Sequence, residues 1–197
     1  MTLAISFLGV IFGSLVGVIL SLMKLSNNKL ARAFSSAYIE IIRGTPLLVQ
    51  IYLIYYGLPM ILPMDLGRMT LGTIAVLLNS AAYIAEIIRA GIQSIDKGQS
   101  EASRSLGMSK SMTMRYVIIP QAVKNILPAL GNEFITLVKE SAVLSVIGIH
   151  DLMYNADTLR GITYRPFIPL IYAAIIYFII TFILSKLLRI FERRLEA

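Results

Sequence analysis

Two sets of polar side chains recur at helical spacing inside long apolar segments of this sequence. Asn79, Tyr83 and Glu86 are four and three residues apart, so they share one face of a helix. Glu133 and Glu140, seven residues apart, share a face in the same way. Polar groups are costly in apolar surroundings and by default mark a pathway or a binding site. Both faces are therefore predicted to line a polar cavity.

Glu140 is the central candidate, and two interpretations of it stay open. It could form a structural ion pair with Lys139 or an arginine, or it could receive the cationic side chain of a substrate. For Glu86 a local salt bridge with Arg89 is favoured over a ligand role. The predicted substrate-binding residues are Glu140, Asn79, Ser141 and Tyr83, with Asn155 and Asp157 at the outer mouth.

Catalytic chemistry is disfavoured by the same residues. Glu133 and Glu140 lie about 10.5 Å apart along a helix, too far for a cooperating carboxylate pair. The sequence has no cysteine and one histidine, His150, so it offers no cluster of such ligands for a metal. A membrane-embedded hydrolase is the remote alternative, and no catalytic or metal-binding residue is predicted.

Composition places these residues in a membrane protein. Of 197 residues, 57% are hydrophobic and 15% are charged, against roughly 25% charged in soluble domains. The predicted fold is an all-α integral membrane protein, a single domain over residues 1–197. Five stretches have the ~20 mostly apolar residues that a span needs, near residues 3–23, 46–62, 70–88, 122–147 and 167–187.

The positive charges predict an orientation. With the amino terminus outside and the carboxyl terminus in the cytoplasm, 14 of the 18 lysines and arginines lie on the inner side, as the positive-inside rule requires. The net charge of +7 is then a topology signal, and no nucleic-acid partner is expected. The first span has Gly9, Gly13 and Gly17 on one face, which favours close packing within the bundle.

A polar, basic helix–turn–helix is predicted over residues 99–120, on the cytoplasmic side. Gly107 is able to adopt the left-handed conformation that ends a first helix near residues 99–106. Ser109 suits the N-cap of a second short helix, which Pro120 is expected to end or kink. The product is an exposed cytoplasmic corner.

This segment resembles the cytoplasmic EAA loop of ATP-binding-cassette (ABC) importer permeases. Glu101, Ala102, Gly107 and Pro120 match the pattern, while Ser103, Val117 and Ile119 replace similar residues. The resemblance implies a type I ABC importer permease fold, in which this loop couples to a separate ATPase. The implied coupling residues are Glu101, Ala102, Ser103, Arg104, Gly107 and Met108.

Other stretches resemble the permeases of polar amino-acid importers of the histidine, arginine and glutamine type. They are RGTPLLVQ and the regions 79–103 and 120–149, in the right order along nearly the whole chain. The resemblance implies two ATPase subunits that bind ATP and Mg, a second permease, expected to be an identical copy, and an extracytoplasmic amino-acid-binding protein. The expected location is the bacterial cytoplasmic membrane, which in a two-membrane envelope is the inner membrane.

The residues agree with a transport subunit that is not itself an enzyme. No G-x-x-x-x-G-K-[ST] loop occurs, so ATP hydrolysis is expected from a partner and no cofactor on this chain. An ATP-independent channel or secondary transporter is the less favoured alternative. Acidic residues near the cavity favour arginine, lysine or histidine as substrate, while a glutamine or glutamate importer stays open.

Overall fold

The computed structural model describes residues 1–62 and 66–196, and no β-strand occurs among them. The all-α fold predicted from the apolar segments is thus confirmed. The α-helices are α1 (Thr2–Leu25), α2 (Lys29–Gly44), α3 (Leu47–Tyr52), α4 (Leu58–Ile61), α5 (Arg68–Gln93), α6 (Lys97–Ser105), α7 (Lys110–Thr113), α8 (Ile119–Glu140), α9 (Leu152–Thr163) and α10 (Ile168–Glu196). Two π-helical turns (Leu53–Gly57, Met114–Ile118) and a 3-10 helix (Ser141–Ile147) complete the helical structure of these ranges.

Helices α1 and α5 lie side by side and run in the same direction at the centre of the fold. The glycine face of α1 makes this possible, because a Cβ atom on Gly9, Gly13 or Gly17 would lie only 2.8, 2.9 and 2.8 Å from side-chain atoms of α5. Those atoms belong, in the same order, to Val76, Ser80 and Ile84. The expectation that this face packs within the bundle is confirmed.

Among the residues that the structure describes, three helices are long and apolar enough to cross a membrane: α1, α5 and α10. A fourth crossing results if α2 and the helical segment Leu47–Ile61 are taken as one broken span, which is bent by 108°. The stretch predicted as a span over residues 46–62 is divided into α3, a π-helical turn and α4. The stretch predicted over residues 122–147 is helical, but α8 is not among these three helices. The assignment of five spans to one domain stays a prediction.

The bend between α2 and α3 occurs at Gly44 and Pro46, two residue types that favour the end of a helix. α2 ends at Gly44, and Pro46 caps α3 without a side-chain hydrogen bond. Before the bend, α2 crosses α1 and α5: the Ser35 hydroxyl donates to the Leu20 carbonyl at 2.6 Å, and the Tyr38 hydroxyl donates to the Leu78 carbonyl at 2.8 Å. The end of α2 is thereby held against α5.

The second half of the chain packs on this centre through α8. A Cβ atom on Gly91 of α5 would lie 2.3 Å from Ile126 of α8, and one on Gly131 of α8 would lie 2.3 Å from Leu188 of α10. These close approaches stack α5, α8 and α10 in sequence. A core of buried apolar residues lies where α1, α3, α5, α8 and the 3-10 helix meet.

Candidate functional sites

The exposed corner predicted near Gly107 is present. Gly107 has a φ angle of +84°, in the left-handed region. The amide of Gly107 donates to the Arg104 carbonyl at 3.0 Å, and that of Met108 donates to the Ser103 carbonyl at 3.1 Å. These two bonds form a Schellman motif, which satisfies the last carbonyls of α6. A helix of residues 97–105 therefore ends where the sequence predicts.

The second arm of the corner differs from the prediction. Ser109 is its N-cap, as expected, since the Ser109 hydroxyl accepts from the Met112 amide at 3.2 Å. However, the second helix is not short, because α7 continues through a π-helical turn into α8. Pro120 does not end the helix: it lies in the first turn of α8, where its missing N–H is tolerated. We call residues 97–118 the elbow.

The elbow presents a defined surface. Glu101, Ala102 and Arg104 are exposed, and Leu106 at the tip is 84% exposed. Ser103 is buried, and its hydroxyl donates to the Gln99 carbonyl at 2.6 Å, so it supports the surface from beneath. Met108, half-buried, follows the corner. Five of the six predicted coupling residues are thus at least partly accessible, and Ser103 is not.

On α5, the predicted polar face forms a buried amide pair that the sequence did not reveal. Asn79 is 3% exposed, and its Nδ2 donates to Oε1 of Gln50 on α3 at 2.9 Å. Gln50 Nε2 in turn lies 2.6 Å from the Ile42 carbonyl and 3.0 Å from the Thr45 carbonyl. Asn79 Oδ1 is buried and has no hydrogen-bond partner among the described residues. An acceptor atom is therefore left for another group.

At the other end of this face, Glu86 is the centre of an ion cluster from three helices. Lys24 of α1 approaches its carboxylate at 3.3 Å, Arg43 of α2 at 3.9 Å, and Arg89, one turn along α5, makes a direct pair. The predicted salt bridge of Glu86 with Arg89 is present. Tyr83, between Asn79 and Glu86, lies under the Arg43 guanidinium, with 5.3 Å between Cζ and the ring centroid.

On the acidic face of α8, neither Glu133 nor Glu140 forms an ion pair with a described residue. Glu140 is half-buried, and within residues 1–62 and 66–196 no cationic group lies within 4.0 Å of it. The ion pair with Lys139 or an arginine is therefore not formed, and Lys139 is exposed. The α-helix changes to a 3-10 helix at the next residue, Ser141, whose buried hydroxyl donates to the Val138 carbonyl at 2.9 Å.

The two outer candidates, Asn155 and Asp157, lie on α9. Asn155 is exposed beside a groove of about 370 Å³ between α9 and α10. Asp157 forms an ion pair with Arg160 at 3.0 Å. Asp151 caps α9 by accepting from the Tyr154 amide at 2.8 Å, and its burial raises the pKa of this carboxyl. The described residues include no cluster of three potential metal ligands.

Comparison with known proteins identifies the class to which this architecture belongs. Residues 9–197 match the family described as "Binding-protein-dependent transport system inner membrane component". The arginine transport system permease protein ArtQ of Bacillus subtilis is 42% identical over all of this chain and 90% of that protein. A protein of Rickettsia bellii named as a glutamine transport system permease, GlnP, is 44% identical over 98% of this chain and 89% of its own length.

Solved structures agree. A chain of "an amino acid ABC transporter with histidines" superposes with a TM-score of 0.94 and is 58% identical, covering 98% of this chain and 90% of that one. A chain of the MetNI methionine ABC transporter has a TM-score of 0.81 at 24% identity, over 98% of this chain and 92% of its own, and shows the shared fold.

This chain belongs to the family of inner membrane components of binding-protein-dependent transport systems. It is a multi-pass membrane permease subunit of an ABC importer, and the resemblance deduced from the EAA loop is confirmed. It is not an enzyme: in this family a separate ATPase subunit hydrolyses ATP, and a binding protein is a further partner. The hydrolase, channel and secondary-transporter alternatives are thereby excluded.

Proposed function

We propose that this permease moves a cationic amino acid, such as arginine, lysine or histidine, into the cytoplasm. The observation that carries the proposal is Glu140, a half-buried carboxylate without a cationic partner among the described residues. A carboxylate removed from water is costly unless an opposite charge accompanies it. The side chain of a cationic substrate supplies that charge, and ArtQ, named for arginine, is a relative.

Asn79, Tyr83 and Ser141 complete the proposed intramembrane site, and Asn155 and Asp157 form its outer approach. Asn79 contributes the unpaired Oδ1, which accepts a hydrogen bond from an ammonium or amide N–H. A glutamine importer is the second candidate, because the Gln50–Asn79 pair offers neutral amide groups and a relative is named for glutamine.

Coupling is proposed to occur at the elbow. Glu101, Ala102, Arg104, Gly107 and Met108 form the surface that contacts the ATPase, with Ser103 supporting it. The helical path from Ser109 to Glu140, through α7, the π-helical turn and α8, supports this role. An α-helix is stiff along its axis, so displacement of the elbow is transmitted toward the proposed site.

The proposed assembly has two copies of this chain, two ATPase subunits that bind ATP and Mg, and one amino-acid-binding protein outside a bacterial cytoplasmic membrane. The amino terminus is placed outside and the carboxyl terminus inside. The parallel course of α1 and α5 supports this placement, since their carboxyl ends bring Lys24 and Arg89 together on the side of the elbow. A heterodimer of permeases is the alternative composition.

Reconstitution tests the proposal. The chain is purified with its co-expressed ATPase, placed in liposomes with its binding protein outside, and assayed for ATP-dependent uptake of radiolabelled L-arginine, L-lysine, L-histidine and L-glutamine. We expect uptake of the cationic amino acids, and competition among them. Uptake of L-glutamine alone would replace the cationic assignment with the glutamine one, and the mass of the complex distinguishes a homodimer from a heterodimer.

A further inference from the structure

Arg43 occupies an unusual position at the end of the polar face of α5. It lies in the last turn of α2, directly before the 108° bend. Its Nη1 is 3.9 Å from Glu86, its Cζ is 5.3 Å from the Tyr83 ring centroid, and its side chain is 42% exposed. The guanidinium is therefore partly exposed, and its one ion pair is long.

Glu86 does not need Arg43 as a counter-ion. Lys24 is closer, at 3.3 Å, and hydrogen-bonds to the same carboxylate, as Arg89 does from the next turn of α5. A guanidinium carries five N–H donors, and that of Arg43 donates no hydrogen bond to any described residue. The Glu86 carboxylate is thus surrounded by three cations, and the N–H donors of one of them, Arg43, remain unused among the described residues.

The backbone beside Arg43 is fixed to the proposed substrate site. Gln50 Nε2 lies within hydrogen-bond distance of the Ile42 and Thr45 carbonyls on either side of Arg43, while Gln50 Oε1 accepts from Asn79. Arg43 therefore lies at the end of the polar face of α5, next to the backbone that Gln50 joins to Asn79.

An amino-acid substrate presents a charge that the acidic residues do not compensate. Every α-amino acid carries a carboxylate, which is repelled by Glu133 and Glu140 and is costly to take out of water alone. A planar guanidinium binds a carboxylate through two parallel hydrogen bonds. Resting on the proposed import of amino acids, we propose that Arg43 binds the α-carboxylate of the substrate, whatever its side chain.

The test compares amino acids with analogues that lack only the carboxylate. Binding of L-arginine and its decarboxylated analogue agmatine, and of L-glutamine and 4-aminobutanamide, is measured by calorimetry on the permease–ATPase complex in nanodiscs, without the binding protein. Arg43→Gln should weaken the binding of L-arginine and L-glutamine about ten- to a hundredfold, which is the usual effect of losing a charged hydrogen bond. The decarboxylated analogues should bind the variant no worse than they bind wild type, and Arg43→Lys should restore part of the loss.

Lys24→Gln is the matched control, because it removes another cation from Glu86 but lies on α1, away from the bend. It should leave all four affinities unchanged. Equal loss of amino acids and analogues in Arg43→Gln would show that Arg43 acts through the ion cluster, and unchanged amino-acid binding would also overturn the inference. If the wild-type complex binds L-glutamine but not L-arginine, the assignment of a cationic substrate is wrong, and the comparison of L-glutamine with 4-aminobutanamide still tests the role of Arg43. If it binds neither, both are wrong.

Discussion

Replacement of Gly107 tests the elbow through its backbone. The φ angle of +84° is one that L-residues rarely adopt, yet a Cβ atom placed on Gly107 meets nothing within 4 Å. The cost of Gly107→Val in this chain is therefore conformational, about 1–3 kcal/mol, which lowers the population of the correct corner by roughly five- to 150-fold. Gly107→Asn should cost least, because Asn tolerates the left-handed region, and Gly107→Ala should be intermediate.

The assay is substrate-stimulated ATP hydrolysis and uptake in the reconstituted complex. ATP hydrolysis and uptake should be least reduced in Gly107→Asn, more in Gly107→Ala and most in Gly107→Val. The unfolding temperature of the membrane helices should stay unchanged, because Gly107 contacts none of them. If bulk at the ATPase surface were the cause, Gly107→Ala would retain more activity than Gly107→Asn. That order, or normal transport by Gly107→Val, would refute the assignment of the elbow as a coupling element that depends on its left-handed corner.

Three further predictions concern charge, orientation and packing. Glu140→Gln keeps the volume of the side chain and removes its charge, so uptake of L-arginine or L-lysine should fall about tenfold or more. Uptake of L-glutamine and assembly of the complex should persist. An equal loss of cationic and neutral amino-acid uptake would contradict a charge-specific role. Because the chain lacks native cysteine, a cysteine at exposed Ser111 should react with an impermeant maleimide only from the cytoplasmic side, and one at exposed Thr158 only from outside; the reverse pattern would invert the topology. Gly13→Leu should lower the unfolding temperature of the purified complex by several degrees, because a Cβ atom there would lie 2.9 Å from Ser80 and overpacking costs about 1–3 kcal/mol. Gly161→Ala should leave the unfolding temperature unchanged, because a Cβ atom on Gly161 has no neighbour within 4 Å.

Local features of this fold were predictable because neighbouring residues determine them. The left-handed Gly107, the N-cap at Ser109 and the break at Gly44 each depend on residues within about one helical turn. The glycine face of α1 was also apparent, since its four-residue spacing is a property of one helix. What that face packs against, Ser80 and its neighbours on α5, required the structure.

The features that were missed depend on contacts between distant segments. Gln50 and Asn79 are 29 residues apart, and their hydrogen bond exists only because α3 packs on α5. The same holds for the Glu86 cluster, in which Lys24 is 62 residues away and only the Arg89 pair is local. The helix through Pro120 was missed for another reason: the π-helical turn before it changes the hydrogen-bond pattern, and no residue type marks such a turn.

The two halves of the proposed site lie on different helices. Asn79 is joined through Gln50 to the backbone on either side of Arg43, and Glu86 joins α5 to Lys24 of α1. Glu140 lies on α8, whose helical path begins at the elbow and whose contact with α5 includes the close approach of Ile126 to Gly91. Glu140 is fourteen residues beyond Ile126, about 21 Å along a helix, and Leu137, one turn before it, is buried in the core cluster that includes Ile5 of α1 and Val76 of α5. A displacement of Glu140 relative to Asn79 therefore requires this apolar packing to rearrange. Because Glu140 makes no ion pair with a described residue of α5, no salt bridge between the two helices has to break as well.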